Sequence, residues 1–136
     1  MADVLLVKDI MTKDVRVAGP DSSVRDVVAA MNRFNIGSII VVQDNKPVGV
    51  ISERDVLRRV VEPCLSPETI PASQIMTCPV ITIPESASVA EVVKIMAEKR
   101  VRKIPVIKKE RLVGIITYTD ILSKVLSMIS ILGELI

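Results

Sequence analysis

Apolar residues recur at Val24, Val27, Val28 and Met31, the i, i+3, i+4, i+7 spacing of one helix face, and the same spacing returns at Val89, Val92, Val93 and Met96. Each stripe predicts a buried helix face. The period then changes: Ile39 to Val42 is a continuous apolar run, as for a strand covered on both sides. Asp44-Asn45-Lys46-Pro47 reads as a turn, and Val48 to Ile51 as a second strand. In the second half Lys108-Lys109-Glu110-Arg111 takes the place of the turn. A further helix is expected near Ser52, running toward Val61, and near Tyr118, running toward Ser130. Each half therefore reads as strand, helix, strand, strand, helix.

Sliding the chain on itself by 65 positions lays Ile10-Met11-Thr12 on Ile75-Met76-Thr77 and continues without a gap to Leu57 on Leu122; 16 of the 48 aligned residues are identical. Most identities are apolar or turn positions, so both halves need the same core and the same chain path. A half of ~50 residues buries too little surface to be stable alone, so the two are expected to pack about a pseudo-twofold axis in an α+β fold. The expected division is 1–62 and 73–136, the latter ending in a C-terminal helix. Residues 63–72 join them, where Pro63, Pro67 and Pro71 suit an exposed linker.

Composition narrows the function. The formal charge is +2, with 18 basic residues interleaved among 16 acidic ones, so no broad footprint for duplex nucleic acid exists. The chain has no His or Trp, one Phe and one Tyr. The commonest general base, the commonest metal ligand and the stacking platforms for single-stranded bases are thus missing. Cys64 and Cys78, with no apolar cleavable leader before Lys8, predict a cytoplasmic, reduced protein, with Cys78 in a packing role. Met11, Met31, Met76 and Met96 fall at repeated apolar positions and read as core, and no metal site is expected. No apolar run reaches the ~20 residues of a membrane span. The tail from Ile121 to Ile136 is more apolar than a solvent-facing helix needs, and it packs either on its own domain or in a homodimer interface.

One motif carries chemistry. Gly49-Val50-Ile51-Ser52-Glu53-Arg54-Asp55 and Gly114-Ile115-Ile116-Thr117-Tyr118-Thr119-Asp120 each run a strand into Ser or Thr followed three residues later by Asp. In form this is a capping box, and Ser23…Asp26 and Ser88…Glu91 show the same spacing at the other helix starts. The same junction also aims backbone N–H groups and the positive helix end at an anion. Ser52, Thr117 and Thr119 have hydroxyls for phosphate oxygens, Arg54 a countercharge, and Asp55 or Asp120 a carboxylate for two ribose hydroxyls. The residues alone leave capping and ligand binding both open.

The repeat, its Ile-Met-Thr start, its Gly-x-x-Ser/Thr-x-x-Asp end and Lys103-Ile104-Pro105-Val106 together resemble the cystathionine beta-synthase (CBS) domain pair, or Bateman module, from about Lys8 to Leu122. The resemblance implies two nucleotide-binding clefts, each joining the Asp-bearing helix start of one repeat to the strand-start wall of the other. One would combine Asp120, Thr117, Thr119, Arg102 and Lys103 with an adenine wall of Thr12, Val15, Val17, Ile36 and Ser38. The other would combine Ser52, Arg54 and Asp55 with Thr77, Val80, Val101 and Pro105. Ile40 stands opposite Pro105 in the alignment, and Gly37-Ser38 replaces Arg102-Lys103, so the clefts are not equivalent. Arg102 and Lys103 read alternatively as solvated ends of an edge strand, and Lys103 as serving the other cleft.

The resemblance implies a non-enzymatic regulatory module that binds AMP, ADP or ATP as ligand rather than cofactor, forms a homodimer, and signals to an effector protein in trans. Alternatives are S-adenosylmethionine as ligand, a structural dimerisation module with degenerate clefts, or, against the charge and aromatic content, nucleic-acid binding. No nucleophile, base and orienting group recur at a spacing suited to catalysis.

Overall fold

The computed structural model describes residues 4–135. In chain order the elements are α1 (Val7–Ile10), β1 (Val17–Ala18), α2 (Val24–Phe34), β2 (Ser38–Gln43), β3 (Lys46–Ser52) and α3 (Glu53–Val56), which runs into a π-helical turn, Leu57–Val61. The second repeat gives α4 (Ala72–Ile75), β4 (Ile83–Pro84), α5 (Val89–Lys99), β5 (Lys103–Lys108), β6 (Arg111–Thr117) and α6 (Tyr118–Leu135). Ser23 and Ser88 start α2 and α5 by accepting the N–H of Asp26 and Glu91. Both helices stop at a left-handed residue, Asn35 or Arg100, after which Ile36 and Val101 return N–H bonds to Met31 and Met96.

Two three-stranded sheets form, β1-β2-β3 and β4-β5-β6, each with a parallel first pair and an antiparallel second pair. This mixed α+β architecture is the expected one, but the packing units are offset from the sequence repeats. One compact unit is Arg16–Val80; the other joins the residues up to Val15 to those from Ile81 onward. In the first, Val24, Val27 and Met31 pack with Ile39, Val41, Ile51 and Ile75. In the second, Val92 and Met96 pack with Ile104, Val106, Ile116 and Val7. The α1 and α4 segments therefore complete the core of the opposite repeat.

The same exchange extends to the sheet edges. Thr77 bridges Val50 on β3 through two backbone hydrogen bonds of 2.8 and 3.0 Å, and Thr12 bridges Ile115 on β6 through bonds of 2.8 and 2.9 Å. Each Ile-Met-Thr segment thus covers an otherwise open edge. It also explains the repeated glycine: a Cβ on Gly49 would lie 2.5 Å from Sδ of Met76, and one on Gly114 would lie 2.7 Å from Sδ of Met11.

Several expectations need correction. The hairpin turns contain two residues, Asp44-Asn45 and Lys109-Glu110, all at positive φ, so Lys46, Pro47, Lys108 and Arg111 belong to strands. Pro47 is tolerated because β3 is outermost in its sheet ladder. β5 is the central strand of its sheet, not an edge, and Lys103 is half-buried there. Val93 is exposed, so the second helix stripe is only partly buried. Cys78, which precedes a cis Pro79, is also exposed and packs into no core. A four-residue helix precedes each Thr-bearing segment, where none was foreseen. Ile136 and the side chain of Leu135, both counted in the apolar tail, lie outside the described residues.

Candidate functional site

Each strand-to-helix junction carries its acid in the same arrangement. Ser52 caps α3: its Oγ accepts the Asp55 N–H, while Asp55 Oδ2 accepts the Ser52 N–H at 2.9 Å and the Ser52 hydroxyl at 3.0 Å. In the other unit Asp120 Oδ2 accepts the Thr117 N–H at 2.9 Å and the Thr117 hydroxyl at 3.1 Å. Both are capping boxes by geometry. They differ from the plain caps at Ser23 and Ser88 in what the second carboxylate oxygen does. Asp55 Oδ1 accepts the hydroxyl of Thr77, and Asp120 Oδ1 that of Thr12, each at 3.0 Å. Each site therefore unites a Thr from one repeat with an Asp from the other, 22 and 108 residues apart in sequence.

The surroundings are unequal. Asp55 is buried and has Arg59 Nε at 4.0 Å; Arg59 also donates to the carbonyls of Ile75 and Met76 at 2.8 and 3.0 Å. Arg59 thereby ties the α4 end that carries Thr77 to the helix that carries Asp55. Sequence reasoning missed this residue, although its i+4 spacing from Asp55 was a usable signal. At the other site Asp120 is only half-buried, and the aligned position is Lys124. Lys103 pairs across the sheet with Thr117, where the first site pairs Ser38 with Ser52. Cross-strand partners project from the same sheet face, so an ammonium shares the face of the Thr117–Asp120 junction. Burial holds the Lys103 pKa below the ordinary lysine value.

The remaining residues named from the sequence divide by unit. Thr12, Val15, Val101, Arg102, Lys103, Pro105, Thr117, Thr119 and Asp120 lie in one; Val17, Ile36, Ser38, Ser52, Arg54, Asp55, Thr77 and Val80 lie in the other. The Arg102 carbonyl accepts the first N–H of α6, Arg54 and Thr119 are exposed in first helical turns, and Val15 and Val80 are half-buried. Ile36 and Val101 pack against the two cores, and Pro105 is buried in β5. An apolar groove of about 290 Å³ in the Asp55 unit, between α2, the π-helical turn and the connector, includes neither Ser52 nor Asp55. Among the described residues no cluster of His, Cys, Asp and Glu could hold a metal ion, and no helix is long and apolar enough to cross a membrane.

A duplicated strand-helix-strand-strand-helix unit with exchanged N-terminal segments and paired Thr–Asp junctions defines a tandem-repeat α+β module. The CBS domain model matches residues 7–62 and again 72–127, and the chain belongs to that family. It is 35% identical over 118 residues to an uncharacterized protein of Methanopyrus kandleri, covering 85% of this chain but 60% of that relative's length. A crystal structure of a conserved protein from Pyrococcus horikoshii superimposes with a TM-score of 0.79 at 34% identity, covering 91% of this chain and 94% of that one. Another, described as an acetoin utilization protein from Vibrio cholerae, gives 0.86 at 25% identity over 97% and 98% of the two chains.

Proposed function

We propose that the protein is an adenosine-nucleotide sensor. AMP, ADP or ATP binds at the Thr–Asp junctions, and the change is passed as a homodimer to an effector protein in trans, with no chemistry performed on the ligand. The observation that carries this reading is the unequal pair of junctions. Both hold an acid against a Thr of the opposite repeat, and the Asp120 junction adds a half-buried lysine beside Thr117 at the start of a helix. An acid for ribose hydroxyls beside a cation and the positive end of a helix dipole for phosphate is the polar complement of a nucleotide. A structural module is the second reading, favoured by the capping boxes in which Asp55 and Asp120 hold the N–H and hydroxyl of Ser52 and Thr117 at their own helix starts.

Calorimetry with AMP and GMP tests the proposal. Adenine held by backbone groups excludes guanine by about 1–3 kcal/mol, the cost of buried polar groups left unpaired. Equal affinity, or none for any adenosine phosphate, refutes the sensor reading in favour of the structural one.

A further inference from the structure

Asp55 and Asp120 share three bonds and differ in a fourth contact. At each junction Oδ2 takes the N–H and the hydroxyl of the helix-start residue, and Oδ1 takes the hydroxyl of the threonine from the other repeat. An ionised carboxylate has about four acceptor positions, so one is left at each acid. At Asp55 the same Oδ1 also lies 4.0 Å from Arg59 Nε, and with its side chain 12% exposed Asp55 has little surface left for another partner. Arg59 is fixed from its other end as well: Nη1 donates to the carbonyls of Ile75 at 2.8 Å and Met76 at 3.0 Å, the two residues before Thr77. One guanidinium thus holds both partners of the Thr77–Asp55 bond, the acid by charge and the threonine through its chain. A point-charge ammonium lacks the spread of donors to reach all three acceptors. At the other junction the aligned residue is Lys124, which is exposed and, among the described residues, makes no ion pair or hydrogen bond through its side chain. The backbones differ too, since Arg59 lies in the π-helical turn and Lys124 within the regular helix α6.

We propose that Arg59 latches the Asp55 junction closed to ligand, so that each chain takes a single nucleotide, at Asp120. The inference rests on the sensor reading above and assigns its ligand to one of the two junctions. Two ribose hydroxyls need two acceptor positions. Asp120 supplies one outright and a second when the Thr12 hydroxyl rotates away. Asp55 supplies only the position that Thr77 leaves, and the other is reached by displacing the guanidinium from a buried acid. That displacement is costly, because a buried charge that loses its partner keeps its full desolvation penalty. Arg59 therefore acts through Asp55 and Thr77, as a positioning residue that does not touch the nucleotide. The same physics predicts what its removal does. A buried Asp55 without its cation has an open acceptor position and gains more from two hydroxyl donors than a paired one does, so the closed junction becomes a second site.

Calorimetric titration of AMP into the whole chain counts the sites. The wild type is expected to bind one AMP per chain, with an affinity that Asp120→Asn lowers by about tenfold or more. Arg59→Met should leave that first equivalent unchanged and add a second, bound about tenfold or more tighter than any second AMP on the wild type. Adding Asp55→Asn to Arg59→Met should remove the second equivalent, which places it at Asp55. Loss of a purely structural contact weakens a fold and creates no site, so the gained equivalent is the decisive readout. Thermal unfolding without ligand shows whether Arg59→Met is folded; Arg59→Gln, whose amide still donates to a carbonyl but carries no charge, takes its place if it is not. Two AMP per wild-type chain, or one on wild type and Arg59 variant alike, overturns the latch and leaves the sensor reading standing. A first equivalent weakened by Arg59→Met puts the guanidinium on the ligand and also overturns the latch. No AMP bound by the wild type or any variant overturns the sensor reading and the latch with it.

Discussion

Asp120→Asn separates ligand binding from helix capping, because the two roles draw on different oxygens of one carboxylate. An ionised carboxylate offers about four acceptor sites. Three are used at Asp120, by the Thr117 N–H, the Thr117 hydroxyl and the Thr12 hydroxyl. Two ribose hydroxyls need two, so binding requires the Thr12 hydroxyl to rotate away. Asparagine is nearly isosteric but replaces one acceptor oxygen with an NH2 donor. If it keeps its oxygen toward Thr117, the cap survives and the second position donates to Thr12 instead. The stability loss should then fall within the ~0.5–2 kcal/mol of a damaged cap.

Loss of a charge-assisted bond to ribose costs a further ~1.5–3 kcal/mol in binding, or about 10- to 150-fold in affinity. Titrating AMP calorimetrically, with thermal unfolding followed in the absence of ligand, gives both quantities. Thr12→Val removes the competing donor and should leave affinity equal or better. Ser23→Ala is the control for a cap alone: its Oγ accepts only the Asp26 N–H, so stability should fall by a similar ~0.5–2 kcal/mol with affinity unchanged. Asp55→Asn should cost more stability than Asp120→Asn, because Asp55 is buried and faces Arg59. Normal AMP binding by the Asp55→Asn, Asp120→Asn double variant refutes the ribose role.

Two other outcomes follow from the geometry. Gly114→Ala should destabilise by about 1–3 kcal/mol as an overpacked site. Its new Cβ meets the Thr12 carbonyl at 3.0 Å as well as Met11, whereas Gly49→Ala meets only the movable Met76 side chain and should cost less; chemical denaturation that ranks them in reverse contradicts the assignment. Lys103 has a folded pKa below its unfolded one, so the unfolded chain holds that proton more tightly. Its charged form costs stability at neutral pH, and that cost is relieved as pH rises from the depressed pKa to the ordinary lysine value. A bound phosphate favours the charged form, so AMP affinity should fall as pH rises through the depressed pKa, with proton uptake seen between buffers of different ionisation enthalpy. Lys103→Met should abolish that pH dependence, and an unchanged profile rules out a phosphate contact.

Element order was legible because local periodicity carries it. The valine and methionine stripes placed α2 and α5, and the switch to continuous apolar runs placed β2 and β5. The capping boxes at Ser52 and Thr117 were legible for the same reason, since all their atoms lie within four residues. The partners of those acids across the repeats follow from the family resemblance rather than from spacing. Nothing local in Ile10-Met11-Thr12 says that it will lie along β6. Arg59 was missed because its function is written in two carbonyls 16 and 17 residues away.

Burial shows the limit most sharply, because the chain contains its own control. Val28 and Val93, and likewise Val60 and Val125, are the same residue at the same repeat position, yet one member of each pair is covered and the other is exposed. A side chain's pattern states that it can be buried; what lies over it is decided by segments elsewhere. In the first repeat that segment is the connector, whose left-handed Cys64, in the turn after the helix, reverses the chain and returns Leu65 and Pro67 to the valines. In the second the helix continues, so the same apolar face is presented outward on the element whose first turn holds Asp120. A ligand that engaged Asp120 would act on the N-terminal turn of α6, the helix that carries the exposed Leu122, Val125, Ile129 and Leu132 with no loop between.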